Sequence, residues 1–295
     1  ANQVVIVGED GKVQWRFGVP ASDGWGLPRG NVLLALYGTK EFPNGGVAEV
    51  DRKTKKIVWS YKGRQKETST VQPLSGGRFL VAGLGPKPRA IVINRKGEVL
   101  KSTVLACQKK NFHMQTRMLR LLPNGNYIAP HLLDFAVKEY EPDTGKVVRS
   151  FPTDDRGRAK RDWLFTAIRL ANGNTLIGCT NGNRIIEMDG KGKIVWSVDN
   201  KDIGENLFDD ACGAQRLPNG NTILLCGEAL TDADISDHEL RSDYFLEVAP
   251  DGTPVWVWHS DQHYGEFGFG EEASRLIRQA PGLHMELGLG DYLHT

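Results

Sequence analysis

The sequence predicts an all-β fold, a six-bladed β-propeller of four-stranded antiparallel blades, and three observations predict it. The phrase Leu122-Pro123-Asn124-Gly125-Asn126-Tyr127-Ile128 returns as Leu170-Ala171-Asn172-Gly173-Asn174-Thr175-Leu176 and again as Leu217-Pro218-Asn219-Gly220-Asn221-Thr222-Ile223. A second phrase, Gly-x-x-x-Trp, recurs at Gly11 to Trp15, Gly192 to Trp196 and Gly252 to Trp256. The turn glycines Gly30, Gly77, Gly125, Gly173 and Gly220 follow one another at intervals of 47 or 48 residues. A period of roughly 40–50 residues carrying four short strands is the signature of a propeller blade.

Each element of the repeat has a local reason. In one copy, Thr166 to Leu170 alternates into the Asn-Gly turn, Thr175 to Cys179 leaves it, Arg184 to Met188 follows, and Lys193 to Val198 closes the unit. The strand positions are rich in β-branched and aromatic residues, which suit a half-buried pleated surface. Asn-Gly between two such runs predicts a type I′ hairpin with positive φ at both central residues. Repeats two to six span 25–62, 67–105, 113–152, 163–199 and 209–259. The first repeat is split. Residues 1–15 align with 183–196, which is only a third and fourth strand, while Glu272 to Arg278 and Leu283 to Leu289 read as the missing first and second strands. Pairing of the two chain ends would close the ring and remove its exposed sheet edges. No Pro/Ser/Gly-rich linker divides the chain, so residues 1–295 read as a single domain. No apolar run reaches the ~20 residues needed for a transmembrane helix.

The recurrent Trp15, Trp59, Trp196 and Trp256 read as packing between blades. Burying one indole removes ~150–250 Å² from water, an upper bound of roughly 4–6 kcal/mol before conformational entropy is charged. The third and fourth repeats lose this Trp, ending in Gly97-Glu98-Val99-Leu100-Lys101 and Gly145-Lys146-Val147-Val148-Arg149.

The Gly-x-x-x-Trp phrase, with Asp51 and Asp189 a few residues before it, resembles the tryptophan-docking repeat of PQQ-like, or quinoprotein-type, β-propellers. The likeness covers nearly the whole chain. The chain is most similar to the small six-bladed members common among bacterial secreted and cell-envelope proteins, and more distantly to arylsulfotransferase-type propellers. The resemblance implies a secreted, periplasmic or cell-surface location. It does not extend to the cofactor. Quinoprotein dehydrogenases are eight-bladed and carry a vicinal cysteine pair, and this chain has no Cys-Cys. PQQ is therefore not expected.

Charge excludes one class of partner. Thirty-seven basic and 36 acidic residues leave a net charge of +1, too little for an electrostatic footprint on nucleic acid. The basic run Arg156 to Arg161 is flanked by Asp154, Asp155 and Asp162, and reads as a solvated loop or a contact for an acidic glycan. Of four cysteines, Cys179 and Cys226 occupy the same slot of successive repeats, and Cys107 is in a loop. Pairing Leu217 with Thr222 places Cys212 opposite Gly227, so that Cys212 and Cys226 face opposite sides of their sheet as buried thiols. The chain begins at Ala1 with neither Met nor a hydrophobic leader, which fits a mature exported protein or a trimmed one. A monomer is expected.

Function should lie where the repeat fails. In a propeller the first strands line a central channel, and the loops leading into them form the ligand face. The unequal residues there are Trp25, Glu67, His113 with Gln115 and Arg117, Trp163, Asp209 with Asp210, and Glu271 with Glu272. Carboxylates for orientation and aromatic rings for stacking suit a polar, carbohydrate-like ligand; a protein partner is the other candidate. His113, His131 and Arg117 are the candidate catalytic groups. Histidine exchanges protons near neutral pH, and arginine offers a planar fork to carboxylate or sulfate. Blade six carries an acidic insertion whose Asp232, Asp234 and Asp237 could offer oxygen ligands to Ca²⁺, but the spacing is not that of an EF-hand, and no resident metal is expected. His259 and His263 form only a weak metal pair. Two functions remain, a binding module or a lyase, hydrolase or sulfotransferase on the same face. An enzyme requires His113 or His131 within hydrogen-bond reach of a carboxylate.

Overall fold

The computed structural model describes residues 3–7, 13–107, 110–153, 162–203, 209–227 and 243–259. Two strands, β1 (Val4–Val7) and β2 (Val13–Phe17), form a two-stranded sheet. Five four-stranded antiparallel meanders follow. They are β3 (Ala21–Gly26) to β6 (Lys56–Lys62), β7 (Glu67–Leu74) to β10 (Val99–Val104), β11 (Arg120–Leu121) to β14 (Val147–Pro152), β15 (Leu164–Arg169) to β18 (Ile194–Asp199), and β19 (Asp209–Arg216) to β22 (Pro254–His259). The expected number of blades is therefore corrected: among the described residues there are five four-stranded blades, not six. Repeat one holds only two strand-forming runs before the second repeat begins, so it makes a two-stranded ribbon. The segments expected to complete it, 272–278 and 283–289, lie outside the described residues.

Two compact units carry these sheets. Of the described residues, 3–6, 15–107 and 110–153 belong to one; 7, 13–14, 162–203, 209–227 and 243–259 belong to the other. In the first unit the core is a series of apolar layers between successive sheets. One layer joins Leu33, Ala35 and Val47 to Val71, Phe79, Val81 and Ile93; the next joins Leu80, Ala82 and Ala90 to Leu119, Tyr127 and Tyr140. In the second unit Leu176, Ile185 and Val198 pack on Ala211, Leu224 and Leu246 in the same way.

The repeated turn is not the expected type I′. Gly125 N–H donates to Leu122 O (2.9 Å) and Leu122 N–H to Asn126 O (2.8 Å), and the same pair of bonds recurs at Leu170 and Leu217. Pro123 or Pro218 thus sits at the second turn position, where its fixed φ suits a type I turn. Positive φ is confined to the glycine that follows, +88° at Gly125, +86° at Gly173 and +89° at Gly220. This is a type I turn closed by a left-handed glycine. The asparagines act through their side chains instead. Asn124 Oδ1 accepts the Asn126 N–H at 3.0 Å, and Glu139 Oε1 gathers both amide groups, from Asn124 at 3.0 Å and Asn126 at 2.7 Å. Glu187 does the same for Asn172 and Asn174.

The longer loop moves the hairpin register by one. Arg216, not Leu217, pairs with Thr222, and Gly227 pairs with Asp209. Cys212 therefore falls in the register shift between Asp209 and Gly213 rather than opposite Gly227. Cys107, Cys179 and Cys212 are buried thiols.

The tryptophans join neighbouring repeats through one recurring bond. Trp15 Nε1–H donates to Arg52 O (2.9 Å), Trp59 to Arg95 O (2.7 Å) and Trp196 to Pro250 O (2.8 Å), each a carbonyl in the turn before the fourth strand of the next repeat. Trp59 also stacks on Phe79 with centroids 4.7 Å apart, and Arg95 lies over both rings. Where the third repeat has Lys101 in place of Trp, the ammonium donates to Asp143 at 2.5 Å, so an ion pair replaces the indole.

Candidate functional site

The functional cluster lies in the first compact unit, at the start of β7 and in the segment that precedes β11. Strand β7 opens with a bulge. Thr68 pairs with Gly83 and Thr70 with Ala82, leaving Ser69 as the extra residue. Ser22 and Phe165 hold the same place in β3 and β15. A bulge re-aims the side chains beside it. The fourth repeat departs further. Sequence periodicity expects an inner strand from His113, but Phe112–Met114 forms a 3₁₀ turn, Met118 adopts φ +46°, and only Arg120–Leu121 pairs as β11. A side chain ties this segment to the preceding repeat. Gln115 Nε2 donates to Gly85 O (2.6 Å), and Gly85 N–H donates to Gln115 Oε1 (3.0 Å).

This geometry brings Glu67, His113 and Arg117 together. His113 Nδ1 lies 2.9 Å from Glu67 Oε2, and Arg117 Nη1 donates to Glu67 Oε1 at 3.2 Å. Arg117 is fully buried, Glu67 nearly so, and the His113 side chain is 34% exposed. Burial pushes the Glu67 carboxyl upward, but the hydrogen bond from His113 and the charge of Arg117 outweigh it and hold the group below its ordinary value. Tyr37 stands beside the imidazole, with ring centroids 6.3 Å apart. Glu67 thus fixes one nitrogen of an imidazole whose other edge meets solvent.

Behind it, Trp25 belongs to a second ionic cluster. Arg120 donates to Asp23 through Nη1 (3.1 Å to Oδ2) and Nη2 (3.2 Å to Oδ1), and its guanidinium lies 5.2 Å from the Trp25 ring centre. The Trp25 indole N–H donates to Val71 O at 2.6 Å. Trp25 is bound into the frame on this face. Asp23 and Arg120 escaped the sequence reading, although two arginines three residues apart within an apolar stretch are a legible anomaly.

His131 ends β12 (Tyr127–His131) and is fully buried. Its Nδ1–H donates to Gln115 O (2.8 Å), and Nε2 accepts from the Tyr140 hydroxyl (2.6 Å). Burial, with the Lys138 charge behind it, pushes the imidazole down to about 4. His131 is therefore a neutral, packed side chain, while His113 is the exposed one on a carboxylate. Burial likewise raises the Tyr140 phenol. Around this pair Cys107, His131 and Asp134 each place one donor atom within 4.8 Å of the others. Asp134 Oδ2 accepts from Lys138 at 2.5 Å, and Cys107 Sγ lies 3.9 Å from Asp134 Oδ1.

The other expected site residues fall elsewhere in the chain or outside the described residues. Trp163 precedes β15 in the second unit, half-buried, its carbonyl accepting the Thr180 N–H at 2.8 Å. Asp209 and Asp210 open β19 in the second unit, and only their backbone is described. Glu271, Glu272, His263 and the insertion with Asp232, Asp234 and Asp237 lie outside the described residues. Among the described residues, no helix is long and apolar enough to cross a membrane.

No family model matches the chain, and no curated protein matches it. Solved structures do. A protein of unknown function from Bacteroides caccae superposes with a TM-score of 0.71 at 20% identity, over 90% of this chain and 92% of that one. A catalytically inactive histidine variant of virginiamycin B lyase from Staphylococcus aureus, with quinupristin, superposes with a TM-score of 0.53 at 12% identity, over 89% of this chain and 74% of that one. The WD40 β-propeller domain of Doa1 follows at 0.50 and 14% identity, over 70% of this chain and 60% of that domain. The chain has their fold, an all-β propeller with four-stranded antiparallel blades.

Proposed function

We propose that this chain is a PQQ-like propeller of the cell envelope or the secreted fraction that binds a polar, carbohydrate-like ligand over His113. One observation carries the reading. The Glu67 carboxylate, clamped between Arg117 and His113, fixes an exposed imidazole edge beside the Tyr37 ring. A rigid hydrogen-bonding group next to an aromatic ring is the combination that polar ligands use for orientation and stacking. Both buried arginines at this site face carboxylates, so charge is largely cancelled and a neutral polar ligand fits better than a strongly charged one. Thermal shift and calorimetry with a panel of neutral and acidic oligosaccharides test this. One glycan class should raise the melting temperature, and His113→Ala should remove that shift with little change in the ligand-free protein. A shift that survives His113→Ala, or no shift from any member, refutes the site; the second result favours a protein partner.

The same contact supports a second reading. A carboxylate on Nδ1 leaves Nε2 to take a proton from a bound ligand and stabilises the imidazolium that results. That is the minimum for lyase-type proton abstraction, and one structural neighbour is named as a lyase. Under this reading His113→Asn abolishes turnover of the ligand found above while binding persists. Under the binding-module reading the ligand leaves unchanged from the wild-type protein.

A further inference from the structure

We infer that Cys107, His131, Asp134 and Tyr140 form a binding site for a zinc-like divalent transition metal, separate from the His113 edge. Three donor types converge there, with Sγ, an imidazole nitrogen and a carboxylate oxygen all within 4.8 Å of one another. Thiolate, imidazole and carboxylate are the donors that bind Zn²⁺. The fourth is at hand, since the Tyr140 oxygen stands 2.6 Å from His131 Nε2. Tetrahedral Zn²⁺ has ligand bonds of about 2.0–2.3 Å, so Cys107 Sγ and Asp134 Oδ1, 3.9 Å apart, draw slightly together around it, while the Tyr140 oxygen and His131 Nε2 exchange their hydrogen bond for the ion and move apart.

The surroundings already have the order of a metal site. A ligating histidine normally donates its other ring N–H to a carbonyl or carboxylate, which fixes tautomer and orientation. His131 Nδ1–H donates to the Gln115 carbonyl at 2.8 Å and turns Nε2 toward the cluster. Ligating carboxylates are held by their second oxygen. Lys138 donates to Asp134 Oδ2 and to Ala106 O, leaving Oδ1 toward Cys107 Sγ. Thiolate and carboxylate offset the 2+ ion, the thiol proton leaves to solvent on binding, and the Lys138 ammonium adds one positive charge beside the site. The Asp134 and Lys138 side chains are 17% and 16% exposed, which provides a route in from solvent.

Cobalt substitution tests this on the purified chain. Treatment with a chelator followed by titration with Co²⁺ should give one ion per chain and a thiolate-to-cobalt charge-transfer band, both reversed by Zn²⁺. Cys107→Ala should abolish the band, and Cys179→Ala should leave it intact. Asp134→Asn, which keeps the shape of the side chain, should weaken Co²⁺ binding at least tenfold with an unchanged far-ultraviolet circular dichroism spectrum. Cobalt bound without a thiolate band, a band retained in Cys107→Ala, or unchanged affinity in Asp134→Asn overturns the assignment. His113→Ala should leave the band unchanged, so the fate of the ligand reading above does not decide this one.

Discussion

Arg120→Met should be among the most damaging single changes in the first unit. Asp23 is fully buried, and its carboxylate receives four hydrogen bonds: two from Arg120, one from Gly24 N–H at 2.9 Å and one from Val71 N–H at 3.0 Å. These bonds tie three repeats together, since Asp23 lies in the second, Val71 in the third and Arg120 in the fourth. Methionine replaces the guanidinium with an apolar chain and leaves a full negative charge buried on amide donors. Breaking one side of a buried ion pair costs about 3–5 kcal/mol. Asp23→Asn, which leaves the guanidinium over Trp25, should cost a comparable amount. In the double variant neither charge remains, and the carboxamide oxygen that replaces the carboxylate can still take a backbone N–H. Its cost should fall short of the sum of the two single costs by about 1–3 kcal/mol. Urea unfolding followed by tryptophan fluorescence, with the slope compared across all four proteins, gives these free energies. A loss below about 1 kcal/mol for Arg120→Met, or additivity within about 0.5 kcal/mol, would refute the claim that this pair is buried and coupled.

The remaining predictions are smaller. Glu67 ionises below its ordinary value in the folded state, so its stabilising effect is complete above that value and disappears as pH falls through the folded pKa. The stability difference between the wild-type protein and Glu67→Gln should therefore be large near pH ~6–7 and shrink as the solution is acidified below about 4; parallel melting curves across that range would contradict it. Trp59→Phe keeps a ring to stack on Phe79 but loses the bond to the Arg95 carbonyl, and should destabilise by about 0.5–1.5 kcal/mol in the same urea assay. No loss would mean that the indole bond does not join the repeats.

Repeats two to six were legible because their signal is local. A turn phrase, an alternating run and a terminal Gly lie close together in the chain, and the observed sheets begin and end within a few residues of the expected spans. The turn type was misread because Asn-Gly was taken as the turn centre. The proline one residue earlier, and a glutamate on the third strand that the turn asparagines bind, decide the geometry instead. The glutamate is thirteen or fifteen residues away from those asparagines, beyond any turn rule. The two-residue β11 was not legible either, because Met118 adopts a left-handed conformation that its side chain does not favour, and tertiary contacts impose it.

At the site, residue types were legible and partners were not. His113, Arg117 and Glu67 stand out as polar residues at inward positions, but their contacts span 46 and 50 residues. A repeat places equivalent positions side by side at that separation, so one period is the distance over which a side chain reaches its neighbour's strand. His131 reads as a candidate catalytic histidine in the sequence; burial, the Gln115 carbonyl and the Tyr140 hydroxyl give it another role, and none of these is visible in sequence.

The failure of the repeat at 112–119 is what creates the site. A regular inner strand would pair along β12 and would alternate its side chains between the two faces. Here the backbone turns in a 3₁₀ loop instead, and the Gln115 amide ties it to Gly85 of the preceding repeat. The loop lifts His113 to the surface over Glu67. It also points the Gln115 carbonyl inward, where it holds the His131 ring. Two arginines then pin the segment, Arg117 to the preceding repeat and Arg120 to the one before that. The ordered repeats provide a rigid frame that says nothing about ligand chemistry. The repeat whose inner strand shrinks to two residues has, within a single short segment, a partly exposed imidazole and the backbone support of a buried one.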